Sequence, residues 1–134
     1  MGGTDEPGPR AGQRGFDDLP WVALPGRDSA DPLLGAGAAA GVSVRIVRLP
    51  AAAGRTPHRH PRSVEVVHVL EGHGVAWQDG SRRQVGPGDT VVIPTGVPHA
   101  TLPAPGTTLL LVCFFPDGDL AANLEELDGP ALDA

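Results

Sequence analysis

A chain of 134 residues with one cysteine, Cys113, is a single domain's worth of polypeptide and has no internal disulfide to staple it. The formal charge of -6 sets sixteen carboxylates among ten scattered arginines, which excludes the basic footprint that nucleic acid requires. Lysine and tyrosine are absent, so Schiff-base chemistry and a phenolic acid or radical site are excluded as well.

In chain order, residues 1 to 18 are rich in Gly, Pro and charge and read as a flexible tail, with too little apolar surface to offset the entropy of ordering. Residues 1 to 29 hold no apolar run of signal-peptide length, and nothing in the chain approaches the roughly 20 apolar residues of a membrane span. The expectation is a cytoplasmic protein with neither a membrane nor a nucleic acid as partner. Residues 19 to 116 alternate short runs rich in Val, Leu and Ile with Gly, Pro and Asp, the pattern of an all-β domain. The runs are Trp21 to Leu24, which is the weakest, Val42 to Leu49, Val64 to Leu70, Val75 to Gln78, Thr90 to Ile93, Pro98 to Leu102 and Thr107 to Phe115. Asp79-Gly80 suits a hairpin turn with positive φ at both central residues, and Gly86-Pro87-Gly88-Asp89 is a second tight turn. After Pro116, Leu120, Leu124 and Leu127 recur at helical spacing behind Asp117 and Asp119 as caps, so residues 117 to 134 are expected to hold a short amphipathic helix and a tail.

Candidate chemistry is concentrated between Gly54 and His99. His58 and His60 stand two apart, which on a strand puts both imidazoles on one face. Glu65 follows beyond Pro61, and His99 arrives at the mouth of a later strand, after Pro94-Thr95-Gly96-Val97-Pro98. Three imidazoles and a carboxylate suit Fe, Mn, Ni, Co, Cu or Zn better than Ca or Mg. His68 falls on the opposite face of its strand from Glu65 and reads as structural, while His73 reads as a solvated turn residue. Cys113 lies in the apolar run Leu109 to Phe115 and reads as a small buried hydrophobe.

These residues resemble the two signature motifs of the cupins, G-(x)5-H-x-H-(x)3,4-E-(x)6-G and G-(x)5-P-x-G-(x)2-H-(x)3-N. His58, His60, Glu65 and Gly72 fall at the spacings of the first motif, and Gly88, Pro94, Gly96 and His99 at those of the second. Ala52 stands where the leading glycine belongs, and Leu102-Pro103 where the closing asparagine belongs; neither position carries a ligand in the family. The resemblance runs from about Val42 to Phe115. It implies a double-stranded β-helix, that is, a jelly-roll barrel, with one divalent transition metal held by His58, His60, Glu65 and His99, iron being placed first. It also implies a small-molecule substrate and a homodimer, for which the Leu109 to Phe115 strand and the Leu120 helix are the expected interface.

Which further residues face the metal depends on strand register. If the segment Glu71-Gly72-His73-Gly74 closes a hairpin that pairs Val69 with Gly74, then Gln78 faces Glu65 and touches the metal's surroundings or the substrate; a slip by one residue aims Trp77 inward instead. Arg45 and Arg48 read as exposed strand residues, with the grip of one on a substrate carboxylate as the alternative. Three functions are open: an Fe(II)-type oxygenase on a small oxygen-rich molecule, placed first and associated with secondary metabolism; a redox-neutral isomerase, lyase or cyclase; and a non-catalytic small-molecule-binding protein.

Overall fold

Strand alternation decides which side chains reach the core. In the segment Leu109 to Phe115, Leu109, Leu111, Cys113 and Phe115 turn inward and are buried, whereas Val112 and Phe114 turn out. Burying one such side chain contributes about 1.5–3 kcal/mol, so an alternating run of this kind resists sliding by one residue. The computed structural model describes residues 12–51 and 54–134. Residues 1–11, most of the expected tail, lie outside it, as does Ala52.

The strands are β1 (Trp21–Leu24), β2 (Arg27–Ala30), β3 (Ser43–Leu49), β4 (His58–Arg59), β5 (Glu65–Glu71), β6 (Gly74–Gln78), β7 (Ser81–Val85), β8 (Thr90–Ile93), β9 (His99–Pro103), β10 (Leu109–Phe115) and β11 (Glu125–Glu126). They make two antiparallel sheets, one ordered β1-β2-β3-β10-β5-β8 and the other β11-β4-β9-β6-β7. The core lies between the sheets and includes Val47, Leu49, Val67, Val69, Ile93, Leu109, Leu111 and Phe115. This is the expected all-β jelly-roll arrangement, built as two open sheets rather than one hydrogen-bonded closed barrel. Every run singled out in the sequence forms a strand. Asp79 (φ 45) and Gly80 (φ 88) form the hairpin turn between β6 and β7. At Gly74 a Cβ would meet the Leu102 carbonyl oxygen at 2.1 Å, so a side chain there would force β6 and β9 apart.

Four expectations need correction. No helix forms in residues 117 to 134. One turn closes at Asn123, whose N–H is shared by the carbonyls of Asp119 and Leu120, but the fully buried Asn123 side chain then bonds to Ser63 and Arg62, and the chain extends to pair β11 with β4. The pull of these tertiary bonds outweighs a helix that would have been too short to nucleate. Second, β5 and β6 do not pair, because Gly72 (φ 88) sends them into different sheets, so Val69 and Gly74 are not partners. Third, the expected tail ends earlier than residue 18: Phe16–Asp18 form a 3-10 turn, with the Phe16 ring 5.3 Å from that of Trp21. Fourth, β10 is a central strand and Leu120 packs against the core, so only the outward face of β10 is free for a second copy.

Candidate metal centre

Both sheets contribute to the histidine cluster. His58 in β4 is the direct partner of His99 in β9, so the two rings lie on one face with centroids 4.3 Å apart. His60 ends the same short run, its ring 5.0 Å from that of His99 and 4.6 Å from Phe115. The carbonyl of His60 accepts from Gly96 N–H (2.9 Å), which docks the turn before β9 onto the end of β4. Glu65 comes from the other sheet, at the start of β5, opposite Ile93. One ligand atom from each of His58, His60, Glu65 and His99 lies within 4.8 Å of all the others, and all but the half-buried His58 are buried.

The hydrogen bonds around the rings show what the cluster is suited to hold. A carbonyl oxygen only accepts, so His60 Nδ1–H donates to the Asn123 carbonyl (2.7 Å) and His99 Nδ1–H to the Val97 carbonyl (2.9 Å). In a neutral imidazole this leaves Nε2 as a lone pair, and both Nε2 atoms point at Glu65 Oε1, at 3.2 and 2.8 Å. Acceptors thus face acceptors, and His60 Nε2 is buried with no hydrogen-bond partner. A cation between them satisfies all three groups, so the residues fit a divalent metal ion. Burial, then the neighbouring His99, lowers His58 from its ordinary 6.5 to about 3 against the opposing pull of Glu65, which keeps the ring in its metal-binding neutral form. Burial pushes the Glu65 carboxyl up, but in the absence of a cation, hydrogen bonds and charge from His60 and His99 with a proton on Nε2 outweigh it and hold the group at about 2, in the ionised form that a metal also takes.

The cluster lines a cavity of about 830 Å3. Its lining includes the buried Val47, Val67, Leu111 and Phe115 and the exposed Leu24, Pro25 and Gly26 of the β1–β2 turn. A chain segment with these ligands beside such a space matches the family model of the cupin domain over residues 45–115. The chain belongs to the cupin family. Its structure is similar to that of KdgF from Halomonas sp. (TM-score 0.66, 21% identical, covering 84% of this chain and 99% of that one), a likeness that concerns the fold. It is also similar to the DMSP lyase DddQ from Ruegeria pomeroyi (TM-score 0.55, 29% identical, covering 63% of this chain and 42% of that one). In sequence, 56 residues are 34% identical to an uncharacterized protein of Methanocaldococcus jannaschii, a match that spans 42% of this cupin and only 45% of that relative.

Other residues fall as follows. Gln78 pairs with His99 and shares the inward side of β6 with Gly74 and Ala76, but its Nε2–H donates to the Val92 carbonyl (3.3 Å) and it does not line the cavity. Trp77 takes the other side of that strand. His68 Nδ1 meets Thr90 Oγ1 at 2.9 Å on the outer face, and His73 is exposed, both as expected. Cys113 is buried as expected and also lines the cavity; burial, then Glu65, pushes its thiol well up, so it stays protonated. Arg48 stacks on Trp21, its guanidinium 4.6 Å from the ring centre. Arg45, expected at the surface, lines the cavity, 3.6 Å from Asp31. Sequence reasoning passed over Arg27 and Arg55, which line the same cavity, and Asn123, which holds His60. None of the three carries a motif signal of its own. Among the described residues no helix is long and apolar enough to cross a membrane.

Proposed function

We propose that this cupin is a metal-dependent enzyme acting on a small, oxygen-rich organic molecule, and that its reaction is an Fe(II)-dependent oxygenation. The reading is carried by the continuity of the His58, His60, Glu65 and His99 cluster with a cavity of substrate size, since a purely structural ion needs no such access. A bound divalent ion would supply Lewis acidity and, as iron, one-electron chemistry towards dioxygen. The chain's own residues hold and orient. The Asn123 and Val97 carbonyls fix the tautomers of His60 and His99, while Val47, Val67, Leu111 and Phe115 keep the inner wall apolar and exclude water. Among the described cavity residues the carboxylates are Glu65, tied into the cluster, and Glu126, exposed on β11. A protonated Cys113 is no base, so the inner cavity favours a reaction that needs no side-chain proton shuttle.

A redox-neutral lyase, isomerase or cyclase is the second reading, favoured by the 29% identity to a protein described as a lyase. Oxygen uptake on a panel of small hydroxy and keto compounds, measured with iron-loaded, zinc-loaded and metal-free protein, tests both. Oxygen-dependent turnover with iron alone supports the first reading, and oxygen-independent turnover with zinc supports the second. Turnover by no form contradicts an enzyme and leaves a small-molecule-binding role.

A further inference from the structure

Two arginines outside the metal cluster face its cavity. Arg27 opens β2, directly after the turn Pro25-Gly26, and Arg55 precedes β4. The sequence separates them by 28 positions, yet the fold ties them together: Arg55 Nη1 donates to the Gly26 carbonyl at 2.6 Å, one residue from Arg27. Gly26 permits this approach, because with φ 74 it turns the chain and a Cβ there would stand 3.0 Å from Arg55 Nη1. Arg55 is further fixed by Nη2–H to the Pro50 carbonyl (3.3 Å) and by two backbone bonds to Leu132 (2.8 and 2.7 Å). Burial, then the charge of Arg27, lowers the Arg55 guanidinium from its usual value, as expected of neighbouring like charges.

Neither guanidinium is neutralised among the described residues. The arginine ion pairs there belong to Arg45, Arg48, Arg59 and Arg62. Arg55 Nε is buried without a hydrogen-bond partner, and the Arg27 side chain makes one long bond, to the Pro25 carbonyl at 3.4 Å. Two adjacent, partly desolvated cations with donors to spare are a preorganised receptor for an oxyanion, which guanidinium groups bind in a forked geometry.

We infer that Arg27 and Arg55 form a clamp for a carboxylate group of the substrate, which makes the substrate a small carboxylic acid anion. The inference rests on the function proposed for the metal cluster in the same cavity and narrows its substrate class. Isothermal titration of malonate, succinate and glutarate, with their neutral diamides as controls, into metal-free and zinc-loaded protein tests it. The dicarboxylates are expected to bind and the diamides to bind about tenfold more weakly or not at all, and Arg27→Gln and Arg55→Gln are each expected to cost about tenfold in dicarboxylate affinity without lowering zinc content. Arg55→Gln also removes the bonds to the Gly26 and Pro50 carbonyls, so Arg27→Gln, which loses one long bond, is the deciding variant. Equal binding of acids and diamides, no binding of any dicarboxylate at millimolar concentration, or an Arg27→Gln affinity within about twofold of the unsubstituted protein overturns the clamp. If the protein takes up no metal, the proposed function fails while dicarboxylate binding to the metal-free form still decides the clamp.

Discussion

Asn123→Ala separates what holds the fold from what holds the metal ligands. The Asn123 side chain is fully buried; Nδ2–H donates to Ser63 Oγ at 2.8 Å, and Oδ1 accepts from Arg62 N–H at 2.7 Å. Truncation leaves both partners short of a bond, at about 1–3 kcal/mol each when buried. Because Arg62 N–H is only partly buried, the expected loss is on the order of 2–4 kcal/mol, a large fraction of the roughly 5–15 kcal/mol that a domain of this size holds. The same residue's carbonyl accepts from His60 Nδ1–H, and any side chain supplies that carbonyl. The variant therefore acts on the metal only by loosening the backbone that aims His60, an effect of about 10–100-fold in affinity for partners of metal ligands. Urea denaturation in excess chelator reads the first quantity, and competition with a chromophoric chelator reads the second. A stability loss of this size with unchanged metal affinity would refute the claim that the Asn123 side chain holds the backbone that aims His60. No change in either would refute the buried bonds themselves.

Metal-free protein is expected to lose stability on the acid side. His58 is held at about 3 against an ordinary 6.5, so the unfolded chain takes up the proton first and stability falls as pH drops through that window. The slope is about 1.4 kcal/mol per pH step, on the order of 3 kcal/mol between pH 6.5 and about pH 4, and Glu65, held at about 2, adds in the same direction below 4.5. Urea midpoints of chelator-treated protein across this range check the sign, and a flat profile contradicts it. Gly74→Ala is expected to destabilise by about 2–4 kcal/mol or abolish soluble expression, because its Cβ meets backbone at 2.1 Å; an unshifted melting temperature contradicts this. The outer face of the six-stranded sheet sets Val44 beside Phe114 and Phe114 beside Val66, with Val92 next to Val66 and 57% exposed, so a homodimer through this face is expected. Sedimentation should show a dimer that Phe114→Glu converts to a monomer, and a monomeric parent protein contradicts it.

What the sequence makes legible follows from the reach of each signal. The four ligands and the strands from Val42 to Phe115 announce themselves locally, by spacing and alternation. Sheet membership does not: Glu65 and Gln78 look like hairpin neighbours until Gly72 turns β6 away from β5. The leucines at 120, 124 and 127 carry a helical period, but the competing bonds of Asn123 to Ser63 and Arg62 span about sixty residues and leave no local trace. Strands β2 and β7 were missed because Arg-Asp-Ser-Ala and Ser-Arg-Arg-Gln-Val are polar stretches that pair through backbone at or near sheet edges. Arg27 and Arg55 are brought together across the Gly26 carbonyl, a contact that no pattern along the chain predicts.

If the three imidazoles and Glu65 together hold a metal ion, that ion should accompany the chain through purification. Elemental analysis of the chain purified without added metal, beside His99→Ala prepared identically, tests it most directly. Close to one transition-metal ion per chain is expected in the first and a large loss in the second. A parent protein that stays metal-free at neutral pH even after incubation with iron, manganese, nickel or zinc, or a His99→Ala variant with undiminished occupancy, contradicts it.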